Sequence, residues 1–554
     1  MKKIITYIAL LFVVSSSIAQ DTTANPVDTL INPSGGSIEV DEVEVIKTFE
    51  AELIDAKKVS LVPEVPTVEK ADRNYSYEVT IVPVKIPYPD PAIRPLAMIP
   101  DDLPISKSFY AKLGYGTFNA PYADVSYQGI KNDEFDYLIS GHYYGADDAS
   151  IIKQRQFYES DLTLSGGYRI NENNRVTVSL MGGYDNRYNY DTLFVNNFGG
   201  SLSTLKRNVL SFQSNFGFKN IETNDAGLDY YTNLKTQYID VDQSLKANEF
   251  GVAIDFGVKK ILNDNFDLVF NVSSEFSSIK NIGFDRVGRK MITLLPGLAY
   301  HRGNLTMALN GDVIIDDQKV HAFADVEIGY ALLNQSVQIF IGADQKSFSN
   351  SLWNIYNDNP FVTTLLNVKN NTISNQFYVG ARGAIKSFVT YNATIGYEDV
   401  EDEGFYENRD QYLHVIYDDM TNIFLNADIE FNISDVLKIG GNIVHNIFTP
   451  QKLGFAINKP AFRYNAYTKV SLLNNKFKIK ADIDFADRIS FYNNADQRIK
   501  GNNMFDISAE IDYYPIENFG LWIRANNILD IEYIRYAGYP GFGRNFQGGV
   551  LINF

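Results

Sequence analysis

The chain has 554 residues, with 49 Lys and Arg against 67 Asp and Glu, no Cys, and 14% aromatic residues. A formal charge of -18 offers no basic face for nucleic acid, 36 Tyr and 37 Phe argue against general disorder, and the absence of Cys excludes disulfides, thiolate metal sites and a lipid-anchored Cys. Mean hydropathy is -0.17, and past the N-terminus no apolar run of ~18 residues occurs, which excludes helical membrane spans.

In chain order, the first element is an export signal. Lys2 and Lys3 form a basic start, Ile4 to Val14 an apolar core, and Ser17-Ile18-Ala19 a small-x-small cleavage site before Gln20. An apolar core of 11 residues is too short to span a bilayer, so residues 1–19 are expected to be a signal peptide. Cleavage removes Lys2 and Lys3 and no acid, giving -18 - 2 = -20 for the mature chain.

Residues 20–106 read as an extended periplasmic segment. Eleven of the 18 prolines lie between Pro26 and Pro104, and Pro83-Val84-Lys85-Ile86-Pro87-Tyr88-Pro89-Asp90-Pro91 is incompatible with helix or central strand. One piece, Val43 to Val59, has alternating Val and Ile followed by a helix-friendly pattern. It reads either as a short strand and helix or as a peptide that orders on a partner.

From Ser108 the texture changes to about ten residues of alternation followed by a turn rich in Asn, Asp or Gly, the pattern of transmembrane β-strands. Phe477, Ile479, Ala481, Ile483 and Phe485 interleave with Lys478, Lys480, Asp482 and Asp484; Phe505, Ile507, Ala509, Ile511 and Tyr513 interleave with Asp506, Ser508, Glu510 and Asp512. Similar runs cover 250–258, 266–276, 305–315, 320–332 and 423–431. Alternation alone fits a soluble sandwich as well as a barrel. Connection lengths decide between them: tight turns at 170–174, 263–265, 302–303, 473–476 and 515–518 alternate with longer loops at 185–206, 346–374, 398–411 and 530–543. Short periplasmic turns and long external loops produce that asymmetry. The expectation is an all-β protein, a transmembrane antiparallel β-barrel of about 22 strands over residues 107–554, with both barrel ends on the periplasmic side.

The final segment, Asn526 to Phe554, carries a resemblance. Asn527-Ile528-Leu529-Asp530, Tyr533, Gly538-Tyr539-Pro540, Gly543-Arg544 and the terminal Phe554 resemble the closing hairpin of TonB-dependent receptor barrels, a family with 22 strands. The alternation that ends on Phe554 also resembles the assembly signal of outer-membrane barrels, which implies the barrel-assembly machinery and outer-membrane lipid as partners and the outer membrane of a Gram-negative bacterium as the location. The front departs from the family. Only 87 residues stand where a plug of well over a hundred is usual, and they lack the apolar periodicity of a core, so no plug is expected. Asp41-Glu42-Val43-Glu44-Val45, with Phe49, resembles a short energy-coupling box and is the candidate docking strand for a periplasmic protein.

A lumen of this width must be occluded, whether by inward-folding external loops, by the Pro83 to Pro104 stretch, or by a separate protein. The inward set includes Asp255, Asp267, Glu275, Asp312, Asp325, Glu327, Asp428, Glu430, Asp482, Asp484, Asp506, Glu510 and Asp512 against Lys259, Lys478 and Lys480. Such a wall either favours cations or is neutralised by Arg and Lys from elsewhere. The five His lie on different strands, and no phosphate loop, nucleophile elbow or zinc motif occurs, so neither an enzyme nor a cofactor is expected. Glu401, Asp402 and Glu403 lie in the densest acidic run; they are the one metal candidate, for Ca²⁺, and otherwise a solvated face. Two functions remain: a passive or partner-gated solute conduit, or a structural and docking component with a closed lumen. The reach of the proline-rich segment, about 3.1 Å per residue, favours docking.

Overall fold

The computed structural model describes residues 108–554, apart from 132–133, 150–153, 192–205, 244, 282–285, 318, 334–335, 367, 369–370, 410–411 and 494–496. Everything expected of residues 1–107, including the signal, the proline-rich segment, the missing plug and the docking residues Asp41, Glu42, Val43, Glu44, Val45 and Phe49, lies outside the described residues.

The described chain forms one 22-stranded antiparallel sheet closed on itself. The strands are β1 (Phe109–Gly116), β2 (Ala120–Lys131), β3 (Phe135–Asp147), β4 (Gln156–Asn171), β5 (Asn174–Tyr188), β6 (Lys206–Asn220), β7 (Leu228–Asp242) and β8 (Lys246–Asn263). They continue with β9 (Phe266–Asn281), β10 (Val287–Arg302), β11 (Leu305–Asp316), β12 (Lys319–Leu332), β13 (Val337–Phe348), β14 (Thr372–Ile385) and β15 (Val389–Arg409). The last are β16 (Tyr412–Asn432), β17 (Leu437–Pro450), β18 (Phe462–Leu472), β19 (Phe477–Ala486), β20 (Met504–Ile516), β21 (Phe519–Asn526) and β22 (Asn545–Asn553). Neighbours in sequence pair in space, and β1 pairs with β22 to close the ring. Closure leaves no sheet edge, which is what a strand protein in hydrocarbon requires.

Register follows from the alternation. Between β19 and β20, Phe477, Ile479, Ala481, Ile483 and Phe485 face Tyr513, Ile511, Ala509, Ile507 and Phe505. The same register sets Lys478 opposite Asp512 and Lys480 opposite Glu510 on the other face. A one-residue slip would turn both charged pairs into the lipid. The outward set is exposed along the whole wall, as in Ile341, Ile447, Ile523 and Phe546, so the outer face is an apolar band suited to a bilayer.

The acidic inner wall is largely neutralised where β1 meets β22. Glu510 is almost fully buried and receives Lys112 at 2.7 Å, Lys480 at 3.2 Å and Arg524 through Nε at 2.6 Å. Trp522 lies beside this cluster, with Lys112 4.4 Å from its ring centre and its indole N–H donated to the Leu113 carbonyl at 3.1 Å. Two glycines make room at the seam. A Cβ on Gly549 would lie 1.8 Å from the Leu113 carbonyl oxygen, and one on Gly114 would lie 2.3 Å from the Trp522 ring. Elsewhere Arg382 pairs with Glu327 at 2.6 Å and Lys438 with Glu430 at 2.9 Å.

The terminal strands fix the orientation. Phe109 and Phe554 exchange two main-chain hydrogen bonds of 3.0 and 2.9 Å, so both barrel ends lie at one rim. The tight turns at 172–173, 264–265, 303–304, 473–476 and 517–518 share that rim, which is therefore the periplasmic one. Two expectations about the other rim are corrected. External connections are not uniformly long, since only three residues separate β1 from β2 and β7 from β8, and two separate β11 from β12. And 398–411 is not a loop: β15 and β16 each run 21 residues and pair as far as Arg409 and Tyr412. Past the bilayer a strand needs no apolar face, so the charges of Glu398 to Glu407 hide it from an alternation count while its backbone stays paired.

Candidate functional site: a lid over the external mouth

The larger of the two buried hydrophobic clusters among the described residues lies at the external rim, where connections meet the outer ends of the strands. It gathers Tyr190, Leu352, Ile355, Tyr356, Phe361, Val362, Leu366, Phe405, Leu413, Ile457, Ile489, Phe491, Ala537 and Tyr539, all from external connections or the external ends of strands. Such residues bury only if the loops fold inward over the mouth.

The connection between β13 and β14 is the main span. It opens with helix α1 (Leu352–Asp358), whose N-cap Ser351 accepts the Asn354 amide at 3.1 Å. The Leu352 amide donates to Glu249 on β8 at 2.6 Å, and Leu352, Ile355 and Tyr356 point into the core. After the helix, the Thr363 amide donates to the Leu413 carbonyl at the start of β16 at 2.8 Å, the Thr364 hydroxyl to Leu245 at 3.0 Å, and Asn281 at the end of β9 to Leu366 at 3.2 Å. One connection therefore ties the arc of the rim formed by β7 to β9 to the start of β16.

The closing hairpin supplies the opposing half. The Phe361 and Tyr539 rings stack at 3.9 Å and 17°, and Tyr190 meets both edge-on at 5.5 and 5.2 Å. The Tyr190 hydroxyl donates to Pro540 at 3.1 Å, Arg155 to Gly541 at 2.9 Å, and the Ala537 amide to Asn458 Oδ1 at 3.1 Å. Asn408 on β15 reaches across to Asp191 at 3.0 Å. Burial pushes the Tyr190 and Tyr533 hydroxyls up to about 12, and those of Tyr356 and Tyr539 further, because a phenolate has no water there.

Below the lid is a cavity of about 920 Å³, lined by strands β2 to β7 and β20 to β22 together with the lid's underside. Its lining includes aromatic rings, among them Tyr122, Tyr144, Tyr356, Tyr533 and Phe542, with Arg187, Arg207, Arg524 and Arg535 facing Glu159, Asp161, Asp185, Asp358 and Asp506. Four arginines against five acids give no strong net sign. Hydrogen-bond capacity is more telling. Arg187 grips Asp185 through Nε at 2.7 Å, whereas Arg207, 1% exposed, has only Nη2 near Asp185 at 3.6 Å. Its Nε and Nη1 have no acceptor among the described residues. An aromatic box with a guanidinium of unused donors can hold a flat solute bearing an anionic oxygen.

The residues singled out from sequence fall as follows. Asn527 is a left-handed hinge (φ 46°) whose Nδ2 bonds the Ile531 carbonyl at 3.0 Å and the Phe542 carbonyl at 3.2 Å, clamping both ends of the closing loop. Asp530 accepts the Arg544 amide at 2.8 Å, Tyr533 lines the cavity, and Gly543 lies against Asp530. Gly538 has φ 82°, and a Cβ there would strike Asp191, while Pro540 presents the carbonyl that Tyr190 binds. Phe554 is exposed at the periplasmic rim, its ring centre 6.5 Å from that of Phe109. The acidic trio does not converge: Glu401 turns to Lys319 at 3.8 Å, Glu403 pairs with Lys459, and Asp402 occupies a bulge at φ 52°. Among the described residues no group of three or more His, Asp or Glu has metal-binding geometry. The five His stand on β3, β10, β12, β16 and β17. Inward-folding external loops were one of the three occluders the sequence allowed, but sequence reasoning did not identify the residues that build the lid, and it missed Arg207. A usable signal existed in the apolar content of an external loop holding Leu352, Trp353, Ile355, Tyr356, Phe361, Leu365 and Leu366.

A closed 22-strand barrel with an apolar outer band and both ends at one rim is an outer-membrane barrel, and its fold is that of the TonB-dependent receptors. The likeness is specific in structure. The FrpB iron transporter of Neisseria meningitidis superposes with a TM-score of 0.63 at 11% identity, covering 81% of this chain and 82% of that one. The ferric-catecholate import receptor Fiu of E. coli K12 gives 0.61 at 10%, over 81% and 82%. The ferripyoverdine receptor of the Pseudomonas aeruginosa outer membrane, bound to ferripyoverdine, gives 0.60 at 11%, over 81% and 72%. At such identities the likeness is one of fold. No protein-family model and no curated protein matches the sequence.

Proposed function

We propose that the protein is a loop-gated outer-membrane barrel, closed at rest by its external lid, which admits an anionic, ring-bearing solute through the cavity beneath and recruits a periplasmic partner through residues 20–106. The carrying observation is the lid, a core of rings and main-chain bonds joining opposite arcs of the mouth. A passive conduit would have no use for it. The iron transporters and siderophore receptors of the same fold support uptake as the outcome of opening. The partner's docking site is placed at Asp41 to Val45 and Phe49, by strand addition.

A second reading, a docking component whose lid never opens, is favoured by the number of rim-to-rim bonds the lid holds. Single-channel conductance of the purified protein, with and without residues 20–106, separates the two. A gated barrel is silent at rest and conducts after the lid is loosened. Silence of a lid-loosened barrel lacking residues 20–106 would leave only the docking reading, and steady conductance of the intact protein would overturn both. Capture of a periplasmic protein by a peptide of residues 39–60 tests the docking strand separately; no capture removes it.

A further inference from the structure

The external ends of β18, β19 and β20 carry an outward aromatic group. Phe462, Tyr464, Phe485 and Phe505 contact one another, with Tyr464 and Phe485 stacked at 5.2 Å. Rings of this kind mark the level where hydrocarbon gives way to headgroups. Immediately beyond them the wall is notched. Strand β17 pairs with β16 up to Pro450, but its register with β18 stops at His445 opposite Phe462. The loop 451–461 and a short hairpin, Ser490–Tyr492 with Arg498–Lys500, frame the opening.

The notch encloses about 680 Å³, and its lining includes Ile447, which belongs to the exposed, outward set of β17 with Ile439 and Ile443. Leu453 and Phe455 give it an apolar side, and Lys459, Arg488, Arg498 and Lys500 give it a basic one; Asp487 is the single carboxylate in the lining. Lys459 is committed to Glu403. Arg498 is held in place, 4.2 Å from the Phe455 ring centre and 3.1 Å from the Ser490 hydroxyl. Arg488 and Lys500 are exposed and form no ion pair among the described residues. In a chain of charge -18, three exposed cations gathered in one pocket at headgroup height call for an anion.

We propose that this notch is a binding site for the phosphorylated headgroup of an outer-leaflet glycolipid, with phosphate on Arg488, Arg498 and Lys500 and the lipid body lying along Leu453, Phe455 and the aromatic group below. The opening onto the outer wall selects a membrane lipid over a soluble anion, because the apolar side continues into the lipid-facing surface.

The test uses full-length protein reconstituted with phosphatidylcholine containing bisphosphorylated lipid A, then stripped in detergent and weighed by native mass spectrometry. The wild type retains lipid A. The triple variant R488Q/R498Q/K500Q needs on the order of tenfold or more lipid A for the same retention. Lipid A stripped of its phosphates is retained no better than phosphatidylcholine, and inorganic phosphate at matching concentration does not displace the bound lipid. Heat-dependent gel mobility reports whether the variant barrel is folded; if the triple variant is not, Arg488→Gln and Lys500→Gln are measured singly. Equal retention by folded variants, equal retention of dephosphorylated lipid A, or full displacement by inorganic phosphate would each overturn the proposal.

Discussion

Replacing Tyr539 with Ala isolates the lid from the barrel. Its ring is 2% exposed, stacks on Phe361 at 3.9 Å and meets Tyr190 at 5.2 Å, and it stands in an external connection between β21 and β22. Truncating a buried aromatic side chain costs about 3–5 kcal/mol, of which each well-placed ring pair accounts for about 0.5–1.5. Because the contacts join loop to loop, that cost falls on closing the lid. At about 3 kcal/mol, with tenfold for every 1.4, the closed-to-open ratio drops by roughly 150-fold. Hydrogen exchange of the amides in 359–366 and 534–541 should accelerate by about that factor, while amides of β19 and β20 keep their protection. Tyr539→Phe is the internal control: the hydroxyl has no hydrogen-bond partner among the described residues, so its loss should leave exchange unchanged or slower. Unchanged loop exchange in the Ala variant, acceleration spread evenly into the wall, or a Phe variant as damaging as Ala would refute the reasoning.

Other perturbations address the wall and the lid's chemistry. Glu510→Ala leaves Lys112 buried without its carboxylate and takes a partner from Lys480 and Arg524, a loss of about 3–5 kcal/mol that should appear as a lower urea midpoint in Trp522 fluorescence. Gly549→Ala places a methyl group on the Leu113 carbonyl and should prevent β1 from closing on β22, so the heat-sensitive compact band on a gel is lost. Raising the pH should open the lid before the barrel. The buried phenols Tyr190 and Tyr533 titrate near 12 when the lid is closed and near 10 when it is open, so their contribution is complete below pH ~10 and is lost as the pH rises towards 12. Loop-amide exchange and phenolate absorbance should therefore rise together; absorbance that rises at pH ~10 with no change in exchange would show that these hydroxyls are not lidded.

The barrel was legible because a wall strand in lipid has to write its two faces into alternate residues. Phe477 to Phe485 and Phe505 to Tyr513 do so, and the structure pairs them in the register that matches apolar to apolar and Lys478 and Lys480 to acids. Of the two alternatives for the acidic inner wall, neutralisation from elsewhere is met at Glu510 by Lys112 and Arg524, from β1 and β21. Where the solvent changes, the code fades. Strands β15 and β16 project past the bilayer, carry charge on both faces, and so resembled a loop at Glu398 to Gln411. Inward-folding loops were among the expected occluders, but the residues that join them were hidden for another reason: Phe361 and Tyr539 are separated by 178 positions, and nothing periodic in either loop announces that they stack. In contrast, Asn527, Asp530 and Gly538 stood out because left-handed backbone selects such residues wherever the loop goes.

Arg207 decides whether the cavity is more than packing space. A buried guanidinium with two donor nitrogens lacking acceptors among the described residues destabilises a fold, so a purely structural role would have to be repaid by its position 5.2 Å over the Tyr356 ring and its weak hold on Asp185. Methionine has similar length and no charge to bury. If Arg207 serves only the lid, Arg207→Met is neutral or tightens it, Arg207→Lys is worse than Met, and neither changes binding of an aromatic carboxylate measured by calorimetry. If the donors serve a solute, as the proposed gate requires, Met leaves loop exchange near wild type and removes the binding, while Lys, which keeps a charge without the planar fork, restores part of it. A Met variant that binds the carboxylate as the wild type does would remove Arg207 from the solute's path, and with it the reason to read this cavity as a port.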